Sequence, residues 1–274
     1  MIGISFYFGF NIEPEERVKL LKNHGIDCVI TNPEKKLNKQ NGSIKTQVEL
    51  FNKYKIKLSS LHSRYGKFQK HFWKRGLMGA YITKRLMQDI KTAHKYGFNS
   101  VVVHLQGEFS EVGKNRLLKV LGLCEELKIP LAVENLNNQK LVIDTFNNIE
   151  HPYLKFCYDS GHNNLFDPKF DYLSKFGDKL VALHLHDNMG KSDDHTLNVF
   201  GTIDWEELAK KLAKLPPINL DYELLMNFND GFTAEQVVDT CVKQAKELQF
   251  LIDKHRKENL KNIKVTVGKR EVKQ

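Results

Sequence analysis

Eight times along this chain a short apolar run of strand length is followed by a longer stretch with helical spacing, and this alternation restricts the fold more than any other feature. The strand-like runs start at Ile2, Cys28, Leu58, Val101, Leu131, Leu154, Leu180 and Ile218. Helical patterns are predicted from Pro14 to Asn23, Ser43 to Lys53, Phe72 to Tyr96, Glu111 to Leu127, Leu141 to Phe146, Pro168 to Phe176, Ile203 to Leu212 and Thr233 to Lys257. Pro14 suits a first helical turn, Gly97 a helix end and Thr233 an N-cap. The connections are short and no Pro- or Gly-rich linker divides the chain. Such a sequence closes into a barrel more readily than it forms an open doubly wound sheet, and 274 residues match the usual barrel length of roughly 250. The expected fold is therefore a single α/β domain, a (β/α)8 TIM barrel over residues 1–258, followed by a basic C-terminal tail over residues 259–274.

In a barrel of this kind the chemistry sits at the C-terminal ends of the strands. The ionisable residues at those ends are His62 after strand three, His104 after four, Glu134 after five, and Asp159 with His162 after six. His184 ends strand seven, Asp193 and His195 lie in the loop that follows, and Glu223 ends strand eight. A lone strand-end histidine is more often hydrogen-bonded locally than bound to metal. Nine such groups on one rim are hard to explain as independent accidents. Imidazole and carboxylate without thiolate suit zinc, manganese, iron or cobalt, with zinc or manganese expected first, and nine groups are enough for one to three ions. The densest stretch is Leu183 to Trp205, in which His186 and Asp187 are expected to support the other groups rather than bind the ion. Cys28, Cys124, Cys157 and Cys241 are widely spaced in apolar surroundings and are expected to be reduced, buried thiols.

The net charge of +9 raises the question of nucleic acid, so its distribution matters. From Lys254 to Gln274 there are eight basic and two acidic residues, so the tail carries +6 of the total. A tail of this composition is more often a solvated end than a binding surface. The internal basic cluster, Arg64, Lys67, Lys70, Lys74 and Arg75, is interleaved with Tyr65, Phe68, Phe72 and Trp73. It reads either as a helix start whose aromatics pack inward, or as a grip on nucleic acid or on a sugar phosphate. No run of eighteen apolar residues exists and no cleavage signal precedes the first strand, so no membrane association and a cytoplasmic location are expected.

The strand-end motifs resemble the xylose-isomerase-like barrel superfamily, which includes sugar and sugar-phosphate isomerases and epimerases, inosose dehydratases and endonuclease IV. The motifs are Ser-Leu-His62, Val-Val-Val-His104, Ala-Val-Glu134-Asn-Leu, Tyr-Asp159-Ser-Gly-His162, Leu-His184-Leu-His-Asp-Asn, Asp193-Asp-His195, Gly-Thr-Ile-Asp-Trp205 and Tyr-Glu223. The resemblance covers about residues 1 to 255, and its members share a site while differing in chemistry.

The resemblance implies two readings. As a metal-dependent isomerase or epimerase, the chain would hold its metal on Glu134, Asp159, His184 and Glu223. Glu134 and Glu223 would move the proton of an enediolate, His162 would bind a substrate hydroxyl, Lys191 would reach a phosphate and Tyr65 would contact substrate. As a phosphodiester hydrolase of endonuclease IV type, it would use all nine residues in a multinuclear zinc site.

Departures exist on both sides. The Tyr-Leu pair that endonuclease IV enzymes place after the first histidine is Tyr65-Gly66 here. The epimerases' arginine after the seventh strand is Gly190, and their glutamate after the fifth is Lys140. Asn198-Val199-Phe200, before Gly201, replaces a glycine flanked by small or polar residues, which makes this rim more apolar. The leading expectation is a sugar or sugar-phosphate isomerase or epimerase, with the hydrolase as the alternative. The partner expected is a small-molecule sugar or sugar phosphate rather than nucleic acid, and pairing of two chains through outer helices is expected of such barrels.

Overall fold

A computed structural model describes residues 1–33, 40–66, 68–226 and 231–271, with side chains described as far as residue 261. Eight strands form one parallel sheet: β1 (Ile2–Ser5), β2 (Cys28–Thr31), β3 (Lys57–His62), β4 (Ser100–Val103), β5 (Leu131–Glu134), β6 (Leu154–Asp159), β7 (Leu180–His184) and β8 (Leu220–Tyr222). From β1 to β7 each pairs in parallel with the next in sequence, and β1 also pairs with β8. The circuit closes between β7 and β8 through a single bridge. There the Leu185 N–H donates to the Asp221 carbonyl at 2.8 Å, and the Glu223 N–H to the Leu185 carbonyl at 3.0 Å. The expected (β/α)8 barrel is the fold observed.

Outside the strands run α1 (Pro14–Asn23), α2 (Ile44–Tyr54), α3 (Leu77–Tyr96), α4 (Glu111–Leu127), α5 (Gln139–Asn148), α6 (Ser160–Phe166), α7 (Tyr172–Phe176), α8 (Trp205–Leu212) and α9 (Ala234–Glu271). Several starts are fixed by side chains that accept an otherwise orphaned helix N–H: Ser43 from Thr46, Ser110 from Gly113, and Asn138 from Leu141. Thr233 and Gln236 bond reciprocally at the start of α9.

Alternation along the strands divides the apolar side chains into two populations. Val101, Val103, Leu131, Val133, Phe156 and Leu183 face the helices and join the large core. Val102, Ala132, Cys157 and Ala182 point into the barrel and form a small inner cluster. Lower in the barrel Asp221 is buried among short side chains, accepting from Ser59 Oγ and, at 3.4 Å, from Cys28 Sγ. All four cysteines are free and buried, as expected. Among the described residues no helix is long and apolar enough to cross a membrane.

Some boundaries differ from expectation. The segment expected as one helix from Phe72 to Tyr96 is a 3₁₀ turn (Gln69–Trp73) followed by α3, with extended backbone at Lys74. Arg116 of α4 holds the break, donating to the carbonyls of His71, Phe72, Lys74 and Gly76. Phe72 and Trp73 pack inward, whereas Phe68 stays exposed. Arg64 is engaged by the buried Asp89 at 2.6 Å. Lys67 lies outside the described residues. Helix α6, directly after β6, is an element the alternation did not reveal, and α9 continues to Glu271. The side chains of the basic tail from residue 262, and all of residues 272–274, lie outside those described.

Candidate metal centre

Parallel strands ending at one level deliver their last residues to a common rim, and the short chain after each end decides which side chain turns inward. Glu134 and Asp159 are the last residues of β5 and β6, His184 the last of β7, and Glu223 follows β8 directly. One donor atom from each of these four lies within 4.8 Å of the others. His184 Nδ1 is 3.2 Å from Glu134 Oε2 and 3.0 Å from Glu223 Oε2. His62 and His104 make a second group with Glu134: their Nε2 atoms are 3.1 Å apart, and they lie 3.5 and 3.1 Å from Glu134 Oε2. A third comprises His162, Asp193 and His195, with His186 beside them. Asp193 Oδ2 is 3.2 Å from His162 Nε2 and 3.3 Å from His195 Nε2. All nine expected ligands therefore meet on one rim.

The donor set fits divalent ions. Donors about 2.0–2.1 Å from a tetrahedral centre lie roughly 3.3 Å from one another, and one pair from each group, His184–Glu134, His104–Glu134 and His162–Asp193, stands 3.1–3.2 Å apart. Both ring nitrogens of His184, Nδ1 of His162 and Oε1 of Glu134 are fully buried and make no well-aligned hydrogen bond. His162 Nδ1 and Glu134 Oε1 face each other at 3.0 Å, and His184 Nδ1 faces two carboxylates, so these atoms are crowded together as donors around a common centre are. Two tautomers are fixed as ligation requires. His62 Nδ1 faces the Ser63 carbonyl at 2.9 Å and His195 Nδ1 the Glu223 carbonyl at 2.8 Å. A carbonyl only accepts, so each Nδ1 carries a hydrogen, and in the neutral ring Nε2 keeps its lone pair toward its group.

The electrostatics follow from packing imidazoles against carboxylates. Burial opposes the charge on Glu134, but His104 and His184 hold it ionised, well below the ordinary range. Glu223 is likewise held low, chiefly by His184 against its own burial. Burial disfavours a proton on His195, yet the hydrogen bond to Asp193 and the field of Glu223 raise it to about 9. His162 is also raised well above its usual value, against burial, by Asp159, Asp193 and Glu134. Without an ion these histidines carry protons that coordination displaces. Adding zinc to metal-free protein at pH 7 should release at least one proton per chain, read with a pH indicator, and apparent affinity should fall as pH falls. Uptake without proton release would show that the histidines were already neutral.

The neighbouring carboxylates divide by role. Asp159 also caps α6, its Oδ1 accepting from the His162 N–H at 2.6 Å. Asp187 lies outside the donor groups. Its Oδ1 accepts from the N–H groups of Asn188, Thr202 and Ile203, and its Oδ2 from Trp205 Nε1 at 2.7 Å. Gly201 permits that clamp, since a Cβ there would stand 1.8 Å from Asp187 Oδ1. Tyr65 lies with its ring 5.4 and 5.0 Å from those of His62 and His104. Lys191 is exposed on the loop after β7 and belongs to none of the donor groups. One residue near the donors was not singled out from sequence as a site member, Cys157, one turn of the pleat below Asp159 and grouped with Glu134 and His184; His186, expected to support the other groups, stands beside the outer one. The β-strand period that puts Cys157 on the face of Asp159 was the available signal.

A family model described as xylose isomerase-like TIM barrel matches residues 12–223. The chain belongs to the xylose isomerase-like TIM barrel family. Among solved members of this fold, a D-tagatose 3-epimerase-like protein is 18% identical with a TM-score of 0.71, the match covering 93% of this chain and 99% of the other. The IolI protein crystallised with a zinc atom gives the same identity, TM-score and coverage. At such identities the likeness is one of fold. The uncharacterized protein y4fM of Sinorhizobium fredii is 39% identical over 97 residues, 33% of this chain, and the match spans about a third of that relative's length.

Proposed function

We propose that this protein is a divalent-metal-dependent isomerase or epimerase of a sugar or sugar phosphate. The observation that carries the reading is the placement of two carboxylates, Glu134 and Glu223, within 4.8 Å of each other beside His184 and Asp159 at the barrel mouth. The epimerase-like and zinc-bearing relatives of the same fold support it. The metal, zinc or manganese, would be held by Glu134, Asp159, His184 and Glu223 and would supply Lewis-acid polarisation of a substrate carbonyl. Glu223 is the more accessible carboxylate, with 22% of its side chain exposed against none for Glu134. It is therefore the group we assign to take the proton from the carbon beside the carbonyl, while Glu134, ionised at rest, draws a proton from His162, whose Nδ1 stands 3.0 Å from its Oε1, and returns it to the carbon from the enclosed side. His162 donates to a substrate hydroxyl, Tyr65 covers the bound sugar, and Lys191 meets a phosphate carried by the distal end of the substrate.

The test is solvent exchange. Metal-loaded protein, offered a panel of ketoses, aldoses and their phosphates in deuterated water, should place deuterium on carbon next to the carbonyl; no incorporation with any of them would overturn the reading. The two additional donor groups, His62 with His104 and Asp193 with His195, favour a second reading, an endonuclease-IV-like phosphodiester hydrolase with a multinuclear zinc site. Under that reading zinc-loaded protein cuts an abasic-site duplex, and an uncut duplex removes it.

A further inference from the structure

His186 lies two residues beyond His184, on the same face of the chain as it leaves β7, and is completely buried. Its Nε2 is 3.0 and 3.1 Å from the two oxygens of Asp159 and 3.8 Å from Asp193 Oδ1. Proximity to His162, Asp193 and His195 makes it look like a fourth donor of the outer group. The ring planes argue otherwise. His186 and His195 are stacked, with centroids 4.0 Å apart and planes 16° from parallel. The nitrogen lone pairs of stacked imidazoles run side by side and do not converge on one ion, which must lie in the plane of each ring that binds it.

We propose that His186 is a positioning residue: its Nε2–H holds the Asp159 carboxylate in the orientation the central donor group requires, and its face backs the ring of His195. Asp159 has two buried oxygens to orient. The His162 N–H engages Oδ1, and His186 is the only side chain among the described residues whose hydrogen bond reaches Oδ2. The space for the ring is built into the backbone. A Cβ on Gly161, in the first turn of α6, would stand 1.9 Å from His186 Cε1, so glycine there is what lets the imidazole reach Asp159. A carboxylate ligand fixed by an outer histidine is the mirror of the familiar histidine ligand fixed by an outer carboxylate, and loss of such a partner costs roughly 10–100-fold in metal affinity.

The inference rests on the central metal reading but not on the isomerase chemistry, and its test reads binding rather than turnover. Cobalt(II) is titrated into metal-free full-length protein in a His62→Ala, Asp193→Asn background, which disables both additional donor groups, and visible absorption follows the central site. His186→Leu, which deletes the donor, and Gly161→Ala, which displaces the ring, should each weaken cobalt binding about 10–100-fold. His186→Gln, whose amide N–H occupies nearly the place of Nε2–H, should stay within about threefold of the parent. Thermal melts of the metal-free variants control for folding. Cobalt binding by His186→Leu equal to the parent overturns the proposal, as does equal loss in the Gln and Leu variants, or a parent that takes up no cobalt. A protein that binds cobalt as described but exchanges no deuterium loses the isomerase reading and keeps this one.

Discussion

Glu223→Gln should reduce solvent exchange into a turned-over sugar by about 10²–10⁴-fold, the usual loss on removing a positioned base. The amide keeps an oxygen that can face an ion but has no basic lone pair of carboxylate strength. The loss should therefore fall mainly on kcat, with a smaller effect on metal uptake. In the native site the His184 imidazole, 3.0 Å away, holds Glu223 ionised below the ordinary carboxylate range. The base is consequently ready at neutral pH, and exchange should decline as pH falls, because protons on His184, whose hold on a proton is raised well above the ordinary value against its burial, compete with the ion. Exchange by the variant above a tenth of the parent rate would remove Glu223 as the required base. Glu134→Gln should cost as much through a different route. Glu134 faces His62, His104 and His184 through Oε2 and His162 through Oε1, so its replacement disturbs two donor groups at once.

Asp187→Ala should be the most destabilising single change in the loop after β7, by about 3–4 kcal/mol in a denaturant titration. It leaves the N–H groups of Asn188 and Ile203 and the Trp205 indole without their acceptor, and the Thr202 N–H with only the Asn188 carbonyl, in a site where Asp187 itself is fully buried. For a chain of this size the melting temperature should fall by on the order of 10 °C. Asp187→Asn separates geometry from charge. Its amide oxygen can still accept from the loop backbone, but its NH₂ then opposes the Trp205 N–H, so about half the loss is expected. Unchanged stability in the alanine variant would show that water replaces the carboxylate.

The strand ends were legible because two local signals coincided there, an apolar run of strand length and an ionisable residue closing it, and the barrel follows from their eightfold repetition. The three-way division of the donors was not legible, since it depends on how Asp193 and His195 return over the mouth. That return needs a left-handed residue at His195, φ 50°, held by its ring on the Glu223 carbonyl and by the Leu225 N–H on its own carbonyl. Helix α6 was hidden because its cap is Asp159, a residue already claimed as a ligand. The break before α3 was hidden because the arginine that satisfies its carbonyls sits forty residues further on. His186 and Gly161 became informative only together, when the glycine's missing side chain proved to be the room for the imidazole.

The barrel's closing seam gives these residues a mechanical meaning. Seven of the eight strand junctions are ladders of several paired residues, two of them with a register shift, whereas among the described residues the eighth rests on the single bridge between Leu185 and Tyr222. His184 and Glu223 stand on opposite lips of that junction. Whatever both of them grip acts as a staple across the weakest line of the cylinder, so occupancy and closure rise together. Amide hydrogens of Leu185 and Glu223 would then act as reporters of the centre, exchanging with solvent in the empty protein and falling silent when it is filled.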